Sequence, residues 1–469
     1  MAACCSGTIR GSSRSSGTTR LTTRDAPRSR SSRGAAERLW QATDRLAPSA
    51  RPDWSSEREG RCAAGPSMRI EVVEDVRRSV EIELDWDELY ARDPHATIFL
   101  SSRFIGRIAL RTPGRFRILL AWDDNDRCVG AFPLLARTRW SKTESLLYNE
   151  LDMLGHVYDA DYTGFLCDPA LERSVCEAFA RTIAAMPFAR LILSNFSSPA
   201  ERLQTFLDAF DANLFETVVS ERRINSNETN NLVCPYIELP DAFEDYLQSL
   251  SANTRQRIRR LLRKLGDDPD LQITRSRLET YGHDAAILSD LWFLQYAERK
   301  GAKRARQLAA QLRELAATGL ASGIMQVAIL WRNGKPVAAQ ANYIDPVKRS
   351  AHFHVAARDD TVRDLQAGAL LHAYSIRWAI AQRLTLYDFT LGDEPYKYQF
   401  GARDRKIACV EVLTRTRANT TGALDPGRRQ EVVDLIRKYA ARGWKERVDI
   451  ALQQAEAVWP EVAKDLKAG

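Results

Sequence analysis

One order of elements is written twice into this chain, about 200 residues apart, and that order limits what it can fold into. "FRILLAWDDNDRCVGAFPLLART" (116–138) reads as two strands around a polar turn. "LERSVCEAFARTIAAM" (171–186) is helical, "FARLILSNF" (188–196) is an apolar strand, and Ser197, Ser198 and Pro199 open a further helix. In the second half "GIMQVAILWRNGKPVAAQANYI" (323–344) is a hairpin with an Asn-Gly turn. "SAHFHVAA" (350–357) is a strand, "LQAGALLHAYSIRWAIAQR" (365–383) a helix and "LTLYDFTL" (384–391) the strand after it. Few residues match between the copies, so the architecture repeats rather than the sequence.

The second copy can be read in full. A strand at 271–278 precedes two helices, 284–301 and 304–319. Three antiparallel strands, a long helix, a strand, a short helix and a last strand, "KIACVEVLTRT" (406–416), follow. Such an order gives an α/β (α+β) layout with a mixed, largely antiparallel sheet flanked by helices. Residues 417–469 add a helical extension.

Length and charge set the divisions. A chain of 469 residues exceeds one ordinary core. Residues 1–67 hold twelve Arg, no Lys and six acids, which accounts for +6 of the net +7, so the body is near neutral. The tail is too polar to bury a core. Its composition resembles a transit peptide, and the change at "MRIEVVEDV" equally fits an over-extended gene start, the reading preferred here. The expected divisions are 1–67, a first unit at 68–240, a second at 241–416, and 417–469. The eight cysteines are scattered without a C-x-x-C pair, which argues against a disulfide framework or zinc site and for a reducing, cytoplasmic compartment. No run of about 18 apolar residues suggests a membrane span.

The strand order, with "LQAGALLHAY" and "YDFTLGDEPYKYQFGA", resembles the GNAT acyltransferases, and within them the CelD-type, FemAB-related branch with tandem GNAT-like units. The resemblance covers about 68–416 and implies a degenerate first unit and a better-formed second one. It implies acyl-CoA, typically acetyl-CoA, bound where the central strands splay, with the pyrophosphate on the amides opening the following helix. Here that segment is "TVRDLQAGALL": Gly368 and Ala369 would admit phosphate, and Arg363 and Gln366 would donate to it. The family's loop pattern is incomplete here, and an ordinary helix cap remains open.

"SANTRQRIRRLLRKLGDD" (251–268) is a basic amphipathic helix. Ile258, Leu261, Leu262 and Leu265 make its apolar face, and Arg255, Arg259 and Arg263 line another. A solvated face, an anionic ligand held by Arg259 and Arg263, and nucleic acid all stay open. The near-neutral body and the lack of interleaved aromatics disfavour nucleic acid.

Acyl transfer to an amine needs a proton acceptor, a polarised carbonyl and an acid for the thiolate. Asp388 closes an apolar strand at the edge where ligands enter open α/β sheets, and a desolvated acid there could act as a base. Gly392 permits a turn, Glu394 and Pro395 open a short helix, and Gly401 ends it. Asp393, Tyr396, Lys397 and Tyr398 are thereby presented at the edge, a tyrosine there serving as the acid by resemblance. Alternatively Lys397 forms an ion pair with Asp388 or Asp393 that only holds the turn. His352 and His354 share a strand face and are read as lining the substrate site rather than binding metal, and His372 as core or groove lining. No cysteine is placed as a nucleophile.

Together these lead to an acyl-CoA-dependent N-acyltransferase, without metal, acting on a small-molecule or glycan-precursor amine. The alternatives are a FemAB-like aminoacyl transferase using aminoacyl-tRNA on a cell-wall precursor, and a non-catalytic accessory protein of polysaccharide biosynthesis.

Overall fold

The computed structural model describes residues 68–156, 160–415, 424–462 and 464; the Arg-rich tail lies outside the described residues. The chain opens with β1 (Arg69–Val73), α1 (Val76–Glu81), α2 (Glu83–Arg92) and α3 (Ser102–Arg111). Next come β2 (Phe116–Trp122), β3 (Cys128–Ser141), β4 (Leu146–Met153) and β5 (Leu166–Cys167). Helix α4 (Glu172–Ala184), β6 (Arg190–Phe196), α5 (Ala200–Asp208) and β7 (Phe215–Val219) complete the first run. A small pair, β8 (Arg223–Ile224) and β9 (Thr229–Asn230), leads to β10 (Val233–Glu238), α6 (Phe243–Ser249) and α7 (Ala252–Asp267). The second run is β11 (Leu271–Arg275), α8 (Tyr281–Lys300), α9 (Ala302–Ala321), β12 (Met325–Arg332), β13 (Lys335–Asp345) and β14 (Ser350–Arg358). It continues as α10 (Ala367–Ala381), β15 (Leu386–Asp388), α11 (Pro395–Tyr398), β16 (Arg403–Lys406) and β17 (Ala408–Thr414). Helices α12 (Arg429–Ala441) and α13 (Lys445–Val458) follow.

The repeated order gives two mixed sheets of one design. The first runs β1-β2-β3-β4-β6-β17-β7, with β5 on β3; the second runs β11-β12-β13-β14-β15-β10-β16. In each, four antiparallel strands meet a parallel neighbour, β4 with β6 and β14 with β15. The fold is thus mixed α/β, two largely antiparallel sheets flanked by helices. The Asn333-Gly334 hairpin forms as read, with φ of 51° and 70° suiting a two-residue turn.

The sheets exchange strands, which the division at 240/241 does not anticipate. β17, read as the last strand of the second unit, pairs with β6 and β7 in the first sheet. β10, from the range given to the first unit, lies between β15 and β16 in the second. Val410 and Val412 supply a period-2 apolar face that either sheet could bury, so periodicity alone left the partner open. Helices α12 and α13 return to the first sheet too: Arg428 donates to the Ala136 carbonyl (3.2 Å), and Gln454 bonds both main-chain groups of Leu147. Apolar clusters fill each half, one around Phe132, Phe165 and Phe179, the other around Tyr387, Phe389 and Ile376 under α10.

The parallel contacts are short, and beyond them the strands part. In the first sheet the ladder ends at Asp152 and Ile192. The gap is then closed by residues 160–165, where Thr163 forms a parallel bridge to Phe196. Its N–H donates to the Asn195 carbonyl and its carbonyl accepts from Ser197 N–H, both at 2.9 Å. In the second sheet the ladder ends at His352 and Asp388, while β14 continues to Arg358.

Candidate active site

The parting of β14 from β15 defines the site. β14 carries an irregularity opposite Ala341 and Asn342, where His354 falls between the paired Phe353 and Val355. Residues Phe353 to Ala356 are half-buried, whereas Ser350 to His352 are fully covered. The His354 side chain is only 1% exposed, so the open surface at that residue is main chain. A strand edge without a neighbour offers N–H and C=O groups to a ligand. β15 stops because Thr390 takes a left-handed φ of 56°, costly for a β-branched residue. Two bonds hold it there: its N–H donates to Asp388 (2.7 Å) and its hydroxyl to the Phe353 carbonyl (2.9 Å).

Beyond β14 the chain reaches α10. Gln366 precedes it in a left-handed conformation, φ 46° and ψ 46°, with no side chain capping the helix. The first helical bond, Leu370 N–H to the Gln366 carbonyl (3.1 Å), leaves the amides of 367–369 ahead of it. A side chain on Gly368 would meet nothing within 4 Å, so open space lies against this turn. Arg257 of α7 donates to Gln366 (3.3 Å) and to Gln399, and Lys264 donates to the Asp364 carbonyl (3.2 Å). These are the cations of the basic helix that meet the start of α10. Arg259 is paired with Glu244, Arg263 is exposed, and exposed Arg363 donates to the Asp360 carbonyl (3.3 Å).

The charged turn is arranged differently from either pairing read in the sequence. Asp388 is fully buried and pairs with Arg405, accepting also from Tyr162 Oη (2.8 Å) and Thr390 N–H. Burial, and then Asp388, hold the Tyr162 phenol protonated far above its usual range, so it acts as a donor. Arg405 lies over the rings of Tyr162 and Tyr236, 5.5 and 5.1 Å from their centroids. Lys397 pairs with neither Asp388 nor Asp393. Its ammonium donates to the carbonyls of Leu391 (2.6 Å) and Gly392 (2.8 Å), with Glu394 at 3.0 Å. Asp393 accepts from Asn230 N–H at 2.7 Å. Burial pushes the Cys234 thiol beside Asp388 up to about 12, which leaves it protonated.

On the α10 side, Phe353, Phe389, Tyr396 and Phe400 surround His372 with centroids 4.7–5.7 Å away. Tyr396 is 38% exposed although burial raises its phenol pKa, the signature of a ring set in a recess. Its hydroxyl makes no hydrogen bond among the described residues, whereas that of Tyr398 donates to Asp404 (2.8 Å). His372 Nδ1 lies 3.0 Å from Tyr387 Oη, which accepts from Gln340 at 2.8 Å. Burial, then the nearby Lys397 charge, lowers the His372 pKa from 6.5 to about 3. The fold therefore keeps it neutral where the unfolded chain would protonate it. This stabilisation is complete above pH 6.5 and is lost as pH falls toward about 3. We expect His372→Gln to flatten the fall of urea midpoint across that window, by up to about 1.4 kcal/mol per pH unit. Parallel titrations of the two proteins would sink this assignment.

On the opposite face, His352 Nε2 meets Ser350 Oγ (2.9 Å), and burial lowers the pKa of its ring. His354 Nδ1 lies 3.2 Å from Asp161. Sequence reading found neither Asp161, Tyr162 nor Arg405. The first two come from the segment closing the first sheet's gap, and nothing in their spacing points to a site more than 190 residues on. Arg405 sits in the alternating "RDRK" of β16, which reads as an ordinary edge strand.

A sheet that parts beside a parallel pair, followed by a helix with an uncapped start, is the layout the GNAT resemblance implied. Residues 252–398 match the family model of the acetyltransferase (GNAT) domain, and this stretch contains α7 through α11. No curated protein matches the chain. Among solved structures, the C-terminal domain of a putative lysylphosphatidylglycerol synthetase from Agrobacterium fabrum aligns at 9% identity, over 73% of this chain and 94% of that one, with a TM-score of 0.43. FemX aligns at 12% identity over 70% and 95% (TM-score 0.42). A tandem GNAT protein from the clavulanic acid biosynthesis pathway aligns at 11% over 74% and 98% (TM-score 0.40). Among the described residues no helix is long and apolar enough to cross a membrane.

Proposed function

We propose that the protein transfers an acyl group, most simply acetyl, from acyl-CoA to an amine. The observation that carries this is the open edge of β14 leading to the uncapped start of α10, within the stretch matching an acetyltransferase domain. The amides of 367–369 would take the pyrophosphate, since N–H groups and dipole at a helix start favour an anion. The space beside Gly368 suits that approach. Arg257 and Lys264 add positive charge, with Arg363 further out. The main chain of 353–356 would hold the thioester arm along the strand edge, and Tyr396 would protonate the leaving thiolate. Asp388 and Lys397 frame this site rather than move protons, because their polar atoms are already engaged, and Arg405 serves as the cation paired with Asp388. In this reading the first half binds no acyl-CoA, because Thr163 fills its gap.

Titration of the full chain with acetyl-CoA is expected to give one site per chain. At a hundredfold excess over Kd it should stabilise the protein by about 2.7 kcal/mol. Thiol release from acetyl-CoA, assayed across primary amines including amino sugars and amino acids, then identifies the acceptor class. Absence of both acetyl-CoA binding and thiol release would end the proposal.

A further inference from the structure

The segment that closes the gap in the first sheet also reaches the gap in the second. Thr163 makes the bridge to Phe196, while the two residues before it turn to β14 and β15. Tyr162 donates to Asp388, and Asp161 meets His354. One buried stretch of the first half thus contributes two side chains to the second half's site.

His354 is the informative partner. In the neutral imidazole, the carboxylate 3.2 Å from Nδ1 places the proton on Nδ1 and the lone pair on Nε2. Nε2 is buried and has no hydrogen-bond partner among the described residues. The ring packs against Tyr343, centroids 5.1 Å apart, and its main chain forms the open part of the strand edge. Leaving a buried acceptor unpaired costs about 1–3 kcal/mol, a cost native structures rarely carry without a role for the atom. The carboxylates at the site are engaged: Asp388 accepts from Arg405, Tyr162 and Thr390, and Asp393 accepts from Asn230. His352 meets Ser350 through Nε2, and its Nδ1, also without a hydrogen bond among the described residues, faces the Asp388 carboxylate at 3.7 Å rather than the open strand edge. Screened from bulk water, the Nε2 lone pair is left unpaired among the described residues, directly behind the open main chain of the strand edge.

We propose that His354 is the proton acceptor of the acyl transfer and that Asp161, from the first half of the chain, is its positioning residue. This rests on the acyltransferase reading. The acceptor ammonium gives its proton to Nε2, and the freed nitrogen lone pair forms the C–N bond at the thioester carbonyl. The C–S bond breaks with its electron pair on sulfur. The nitrogen's second proton goes to the thiolate by way of the Tyr396 hydroxyl as the amide forms, and His354 returns its proton to solvent, so ammonium and thioester become amide, thiol and one released proton with no other reactant.

The test uses the full chain, acetyl-CoA, and the primary amine that releases CoA fastest. His354→Gln is expected to lower kcat by at least about 100-fold, the usual range for a lost acid–base group. Acetyl-CoA affinity should stay within about threefold, read by calorimetry. Asp161→Asn, nearly isosteric, should lower kcat about 10- to 100-fold with the KM for acetyl-CoA unchanged, because it removes orientation and not binding. Turnover in His354→Gln within threefold of the parent overturns the proposal. Loss of acetyl-CoA binding along with turnover in both variants also overturns it, by making the pair structural. A parent protein that binds no acetyl-CoA instead removes the acyltransferase reading beneath it.

Discussion

Replacing Arg405 by alanine should cost about 3–5 kcal/mol of stability, the range for removing one partner of a buried ion pair. Asp388 is completely buried and its carboxylate faces one cation, Arg405. Tyr162 and Thr390 N–H remain after the substitution, but neutral donors compensate a buried charge incompletely. Asp388→Asn should cost less, because the amide oxygen still accepts from Tyr162 and the Arg405 side chain is 31% exposed and can turn to water. The double variant should be more stable than the sum of the single losses, since it strands no charge. Urea midpoints of the four proteins measure the coupling. A loss below about 1 kcal/mol in Arg405→Ala would contradict a buried pair as the lock on this turn.

Gly368→Asp should separate folding from ligand binding in the opposite sense. The added side chain meets nothing within 4 Å, so it is accommodated. A carboxylate in the first turn of a helix is favourable by about 0.3–1 kcal/mol, and replacing a helical glycine, which loses the most backbone freedom on folding, acts in the same direction. The same carboxylate sits where the pyrophosphate would go and competes for the amides of 367–369. Each charge-assisted hydrogen bond is worth about 1.5–3 kcal/mol, so acetyl-CoA should bind about 10- to 150-fold more weakly while the melting temperature holds or rises. Unaltered affinity in a well-folded variant would move the phosphate site away from α10.

The sequence made the repeated order legible because hydrophobic period and turn chemistry act locally. The Asn-Gly hairpin, the long buried α10 and the paired α8 and α9 are all read from neighbours within a few positions. The start of α10 was legible for the same reason. Strand exchange was not, since alternation specifies a buried face and not the strand beside it. Lys397 shows the limit within a single turn. Its spacing admits a carboxylate partner, and Glu394 does pair with it, but most of its donors go to carbonyls. Those carbonyls converge only because Thr390 and Gly392 both take positive φ, and a threonine in that conformation carries no local signal. Asp161 and Arg405 were hidden because their partners lie elsewhere in the chain and become neighbours only in the tertiary fold.

The strand exchange has a consequence for the nascent chain. β17 lies between β6 and β7, so their facing edges stay unpaired until residues 408–414 leave the ribosome. At about 5–20 residues per second, the interval from Val219 to Ala408 lasts roughly 10–40 s. Unpaired edges are templates for misassociation over that time. β10 waits in the same way for β15 and β16. Neither half can finish as an independent translation product, and a chaperone that shields strand edges has a defined interval in which to act.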